Sequence, residues 1–162
     1  MGIAANCLRF LEALGPENCQ PQSLFSLLEN LRSTLESSFN LNWLFPLLFR
    51  FHVAVLAGYA LDFKHCSHCK EELQDQGAWL EVREGQLWCA NCKDQFLTGA
   101  KTVVALDSGV LKLLLLVSQT LPAAWLEFSL TMKQAQTCAR AIDGFIEYHL
   151  GLRWDKGSFR RI

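Results

Sequence analysis

Cys66-Ser67-His68-Cys69 and Cys89-Ala90-Asn91-Cys92 are two C-x2-C pairs separated by nineteen residues. That spacing fits the two knuckles of a structural zinc site, in which each tight turn offers two thiolates and the intervening chain brings the second pair round. Cys66, Cys69, Cys89 and Cys92 fill a tetrahedral ion, so one structural Zn2+ is expected, with no open position for an activated water. The chain between the pairs agrees. Trp79-Leu80-Glu81-Val82 alternates as a short strand, Glu84-Gly85 marks a turn, and Gln86-Leu87-Trp88 returns directly into Cys89. The rival reading is a pair of redox dithiols. A thioredoxin-like motif, however, opens a helix in a strand-helix-strand unit, and no such alternation occurs here.

His65 and His68 flank the first knuckle, but four thiolates already complete the site, so both are read as neighbours of the metal centre or solvated side chains. Cys7, Cys19 and Cys138 have no metal spacing, and Cys7 and Cys138 lie in apolar helical pattern, where a cysteine behaves as a small hydrophobe. Seven cysteines, an odd number, argue against a disulfide framework. With no targeting signal in the sequence, the expected compartment is a reducing cytoplasm.

Outside the ribbon the pattern is helical. Ile3, Cys7, Leu8, Leu11 and Leu14 share one face before Gly15-Pro16, and Leu24, Leu27, Leu28, Leu31 and Leu35 form a stripe from about Gln22 to Ser38. Residues 43–60 are apolar on nearly every side, as in a helix buried by its neighbours, with Pro46 tolerable only in the first turn. His52 lies within that run and reads as a packed histidine with one satisfied nitrogen. Asp107-Ser108 caps a helix running to about Thr120. Thr131-Met132-Lys133-Gln134 is a capping box opening a last helix through Leu150, with Gly151 as its C-cap. The expected fold is mainly α: one helical domain over residues 1–162, of about five helices, with a small four-cysteine zinc-ribbon β-hairpin inserted at about 63–97 and a basic tail at 153–162. The helices have their own leucine core, so loss of Cys66 or Cys89 is expected to melt the ribbon and leave them standing.

Composition sets limits on partners. The 162 residues are 51% hydrophobic and 19% charged, with a net charge of −1, which counts against strong gripping of DNA by this chain alone. Charge is uneven, however: Arg153, Lys156, Arg160 and Arg161 crowd the last ten residues against Asp155 alone. If each met one phosphate of a single strand, the salt slope would be only about −3. Such a tail reads equally as a solvated terminus or as a DNA or partner contact, with Trp154 and Phe159 suited to stacking or docking. The longest apolar runs, Val53 to Gly58 and Val110 to Val117, are too short to span a bilayer. No phosphate loop, His-Glu-x-x-His or nucleophile elbow is present, so no enzyme is expected. Asp143 and Glu147, one helical turn apart, read as a solvated helix face, and His149 as a complement to the helix dipole.

The order of these pieces resembles a known family. Leu56-Ala57-Gly58-Tyr59-Ala60-Leu61-Asp62, the two knuckles around a hairpin, and Tyr148-His149-Leu150-Gly151-Leu152-Arg153 followed by Lys156, Ser158 and Phe159 are similar to the carboxy-terminal region of RecO, a bacterial recombination mediator. RecO proteins begin with an OB-fold barrel that supplies much of their DNA surface, whereas the first residues here are already helical. The resemblance implies action with RecR, and in some systems RecF, to displace single-strand-binding protein, load RecA and anneal single-stranded DNA in gap repair, in the bacterial cytoplasm and at its nucleoid. It also implies a site for the acidic, hydrophobic tail of single-strand-binding protein. Arg50, Lys112 and Arg140 are the isolated basic residues that could rim such a site. A zinc-ribbon helical adaptor that binds protein partners only is the competing expectation.

Overall fold

The computed structural model describes residues 2–15, 19–38, 41–73, 75–96, 98–99 and 102–162. Pro16, expected to follow the first helix, lies outside them. Three helices come first: α1 (Ile3–Leu14), α2 (Pro21–Ser37) and α3 (Phe45–Leu56). The ribbon follows with β1 (Ala78–Glu81), β2 (Gln86–Trp88), the single turn α4 (Lys93–Phe96) and β3 (Val103–Leu106). The chain then forms α5 (Ser108–Gln119), a 3-10 turn (Pro122–Glu127), α6 (Met132–Leu150) and a terminal hairpin of β4 (Leu152–Asp155) and β5 (Ser158–Arg161).

Local signals set the helix ends. Asp107 Oδ1 accepts the Val110 N–H at 3.0 Å, and Thr131 and Gln134 exchange both bonds of the capping box. Gly151 closes α6 in the left-handed conformation at φ 61°. The third helix is shorter than its apolar pattern: it stops at Leu56, and Gly58 turns the chain at φ 99°. On α1, Leu8 is exposed and Phe10 takes the inward position instead.

Every residue of α3 from Phe45 to Ala54 is buried. Helices α1, α5 and α6 pack on it. Two polar side chains lie in that buried run. Arg50 donates to the Pro46 carbonyl at 3.2 Å and to Asp143 on α6 at 3.3 Å, while His52 Nδ1 meets the Val117 carbonyl of α5 at 2.6 Å. Burial holds the His52 imidazole below its ordinary pKa, against the pull of that carbonyl. Because a carbonyl only accepts, Nδ1 carries the hydrogen of this bond.

The ribbon is a three-stranded antiparallel sheet in the order β2-β1-β3. Its inner face, with Leu80, Leu87 and Val104, joins the same core as the helices: Leu80 lies among Phe51, Phe63, Leu114, Ile142 and Phe145. Ribbon and helices share one core, so the independent survival of the helices expected from the sequence is not what the packing supports. The terminal residues also differ from a frayed tail. They form a hairpin whose turn, Lys156-Gly157, has φ 46° and 92°, the mirror-image geometry that suits two-residue connections. Phe159 docks edge-on against Phe10, 5.1 Å between centroids, and Arg9 donates to the Gly157 carbonyl.

Two glycines test this architecture. At Gly77, φ is +81° and an added Cβ would sit 2.7 Å from the Leu106 carbonyl oxygen of β3, whereas at Gly151 the nearest atom is 3.7 Å away. Gly77→Ala is expected to cost about 2–3 kcal/mol by urea unfolding through strain plus a backbone clash. Gly151→Ala, with conformational strain alone, should cost about 1–2 kcal/mol.

Candidate metal centre

The first knuckle is built by a small hairpin of its own. Leu73 N–H donates to Lys64 O at 2.9 Å and Cys66 N–H to Glu71 O at 2.9 Å, while Lys70, at φ 63°, reverses the chain and donates back to Cys66 O. Ser67 then fastens this turn to β2: its N–H donates to Leu87 O at 2.7 Å and its Oγ accepts the Leu87 N–H at 3.0 Å. The second knuckle opens α4, with Cys92 and Lys93 N–H groups both donating to Cys89 O.

These two turns bring Cys66, Cys69, Cys89 and Cys92 together, all four sulfurs within 4.8 Å of one another. Cys69 Sγ and Cys89 Sγ are 3.6 Å apart. A tetrahedral ion with metal–sulfur bonds of about 2.3 Å places its ligands roughly 3.8 Å apart, so the donor set fits a metal ion. The Cys89 N–H points at Cys66 Sγ at 3.4 Å, as a thiolate acceptor requires. Burial raises the Cys66 pKa, but N–H groups of Cys89, Cys69 and His68 outweigh it and bring it down. Cys92 moves the other way, pushed up by burial and then by the three neighbouring sulfurs. Four thiolates cannot all carry charge at this separation without a cation among them.

Around the sulfurs, His68 Nδ1 lies 3.7 Å from Cys92 Sγ and its ring packs on Phe96, which stacks on Trp88 at 4.5 Å. His65 turns away to Asp62, 3.1 Å from its Oδ2. Lys93 Nζ sits 4.4 Å over the Trp79 ring on the outer face of the sheet. Cys7, Cys19 and Cys138 are buried elsewhere, and burial pushes the thiols of Cys7 and Cys138 up to about 12. They are packing residues.

The basic residues of the terminus lie apart, on the hairpin. Arg153 forms a two-pronged pair with Glu147, and Arg160 meets Asp155 at 3.2 Å. Lys156 is at the exposed turn, and Arg161 lines an opening beside Tyr59 and His149. Asp143 and Glu147 each hold their own cation, Arg50 and Arg153, rather than a shared metal. Sequence reasoning did not anticipate those partners, because the spacing along α6 says nothing of what lies across from it.

A family model described as the carboxy-terminal region of recombination protein O matches residues 1–158. The chain belongs to the RecO family. The DNA repair protein RecO of Nitratidesulfovibrio vulgaris (strain Hildenborough) is 40% identical to it, covering 99% of this chain and 64% of that protein. Those of Maridesulfovibrio salexigens and Lawsonia intracellularis are 31% and 30% identical, the aligned part again being 64% of each. The chain thus spans a little under two thirds of the length of these RecO relatives. Among the described residues no helix is long and apolar enough to cross a membrane.

Because the shared core joins the ribbon to the helices, Cys89→Ala is expected to lose bound metal and to unfold in one transition seen equally at the ribbon tryptophans and in far-UV helicity. The midpoint should fall by on the order of 10 °C or more, since cysteine-ligated metals contribute several kcal/mol to folding. Separate transitions for tryptophan fluorescence and helicity would show that the two parts are energetically independent.

Proposed function

We propose that this chain is the helical, zinc-stapled part of a recombination mediator that works with RecR, and with RecF where it is present, on strands covered by single-strand-binding protein, to load RecA and anneal single-stranded DNA in gap repair. The observation that carries the reading is the family match over residues 1–158, together with a four-cysteine cluster at its centre. The ion is zinc on this reading, because an all-thiolate tetrahedral set favours it. It closes the ribbon and leaves no coordination position for substrate. The protein acts by binding rather than catalysis, as one structural unit in the cytoplasm and at the nucleoid.

Partner binding has support in the helices. A cavity of about 230 Å³ opens between the end of α2, the start of α3 and the 3-10 turn, lined by Leu44, Phe45, Leu48, Leu113, Trp125 and Phe128 among others. It suits the apolar end of the tail of single-strand-binding protein. The basic residues expected to rim such a site are differently placed. Arg50 is buried against Asp143 and Lys112 is paired with Asp75 at 2.9 Å, while Arg140 is exposed.

The adaptor reading also has an observation in its favour. Arg153 and Arg160 are already held by Glu147 and Asp155, so fewer cations are free to meet phosphate than the sequence counts. With Lys156 and Arg161 alone, the salt slope for a single strand falls from about −3 to about −1.4. Anisotropy titrations of a labelled single strand against salt, run beside RecR binding, decide between the two. Weak single-strand binding with a shallow negative slope, plus RecR capture, is expected. RecR capture with no single-strand binding at low salt would favour the adaptor. Elemental analysis should find one zinc per chain, and another metal or none would overturn the zinc reading.

A further inference from the structure

Two segments far apart in sequence meet on one face of the protein: the Gly58-Tyr59 turn after α3 and Tyr148-His149 at the end of α6. His149 is the join between them. Its Nε2 lies 2.8 Å from the Val82 carbonyl of the ribbon, and its ring centroid is 6.0 Å from that of Tyr59 and 5.1 Å from that of Tyr148. Arg83, in the turn between β1 and β2, lays its guanidinium 5.3 Å from the centre of the Tyr148 ring. Arg83, Tyr148, His149 and Tyr59 therefore form a continuous row of planar groups assembled from three elements.

The row is open to solvent. Tyr148 is 52% and Tyr59 39% exposed, although each ring offers a large apolar face that folding alone would favour covering. A shallow cleft of about 450 Å³ runs beside Arg83 and Tyr148, and another of about 200 Å³ lies beside Tyr59, His149 and Arg161. Among the described residues neither Arg83 nor Arg161 has a carboxylate within ion-pair distance, and Glu147, the acidic side chain lining the larger cleft, is neutralised by Arg153. Cations without a carboxylate partner thus coincide with exposed ring surface, one side of Tyr148 being taken by Arg83 itself.

We propose that this row is a stacking platform for single-stranded nucleic acid, with bases on Tyr59 and Tyr148 and phosphates at Arg83 and Arg161. It rests on the DNA part of the function proposed above. Every base has a π face, so rings interleaved with guanidinium groups grip a single strand without reading its sequence. An acidic peptide would instead seek an enclosed apolar pocket with its cations at the rim. His149 is a positioning residue: its bond to Val82 sets the ribbon turn, and hence Arg83, against α6.

The test is anisotropy of a labelled thymidine strand of about twenty nucleotides, long enough to cover more than one stacking site. It compares the intact chain with Tyr59→Ala/Tyr148→Ala, Tyr59→Phe/Tyr148→Phe, Arg83→Ala and Arg160→Ala. The double alanine variant should bind about tenfold more weakly or worse, and the double phenylalanine variant, which keeps both rings, like the parent. Arg83→Ala should reduce the salt slope by about 0.7, and Arg160→Ala should change little. Parental binding by the double alanine variant, or equal loss in the phenylalanine variant, would overturn the platform while leaving the DNA reading standing. An intact chain that binds no strand at low salt would overturn both. If the alanine variant loses an Asp-rich peptide but keeps the strand, the face belongs to an acidic protein and the proposal fails.

Discussion

Burial of α3 from Phe45 to Ala54 is the constraint on which the other elements depend. A helix can be buried on all sides because its backbone groups pair among themselves, but any polar side chain it carries must then find a partner inside. The chain places Arg50 and His52 in that position. Each finds its partner on a different neighbouring helix, Asp143 on α6 and the Val117 carbonyl on α5, so the two bonds specify where those helices stand. Arg50 is buried but the Asp143 side chain is exposed, so the ion pair lies at the rim of the core and contributes little net stability, yet removing Asp143 would leave a buried guanidinium without its acid. The pair therefore acts as a register device more than as a source of stability. Phe159 of the terminal hairpin completes it, lying 5.2 Å from the Arg50 guanidinium.

The ribbon extends this arrangement outward. One end of its hairpin carries Cys89 and meets the first knuckle through Ser67; the other end, at Val82 to Gly85, abuts His149 and Leu61. The sulfur cluster lies at the outer end, away from α6, and its effect travels along only a few residues of strand. With β2 held by its bonds to Ser67, Trp79 and Trp88 stay paired across the sheet and Leu80 stays in the core. A metal at the cysteines would thus stiffen the turn that presents Arg83 without touching it. That is a mechanical role for a closed site, and it fits donors that leave no room for a reacting ligand.

Much of this was legible in the sequence, and the exceptions share a cause. The long helices announce themselves through apolar spacing and through Asp107, Thr131, Gln134 and Gly151, whose side chains or backbone freedom act within a few residues. The knuckles are equally local. What sequence reading missed depends on partners distant in the chain: β3 is four residues fixed by pairing with β1 more than twenty residues earlier, and the 3-10 turn after α5 is held partly by Asn30, which accepts the Ala123 N–H. The terminal hairpin was obscured because four cations among its ten residues read as a charged tail. Its turn is Lys-Gly rather than the stronger Asn-Gly, and the anchor that makes it fold, Phe159 on Phe10, joins opposite ends of the chain.

That hairpin also shows why counting charges misjudges a binding surface. The terminus carries four cations, but two are taken by Glu147 and Asp155, and exposed pairs of this kind, though weak, must be broken before phosphate is met. Arg83, which no charge cluster singles out, has no carboxylate partner among the described residues and lies over the Tyr148 ring instead. The electrostatic attraction left to the chain is small, consistent with a net charge of −1. Where charge is scarce, the single-strand affinity proposed above has to come from contacts that do not depend on it, and the exposed rings of Tyr59 and Tyr148 offer such contacts. Position, supplied by α3, α6 and the ribbon together, matters more to this face than the number of basic residues in the sequence.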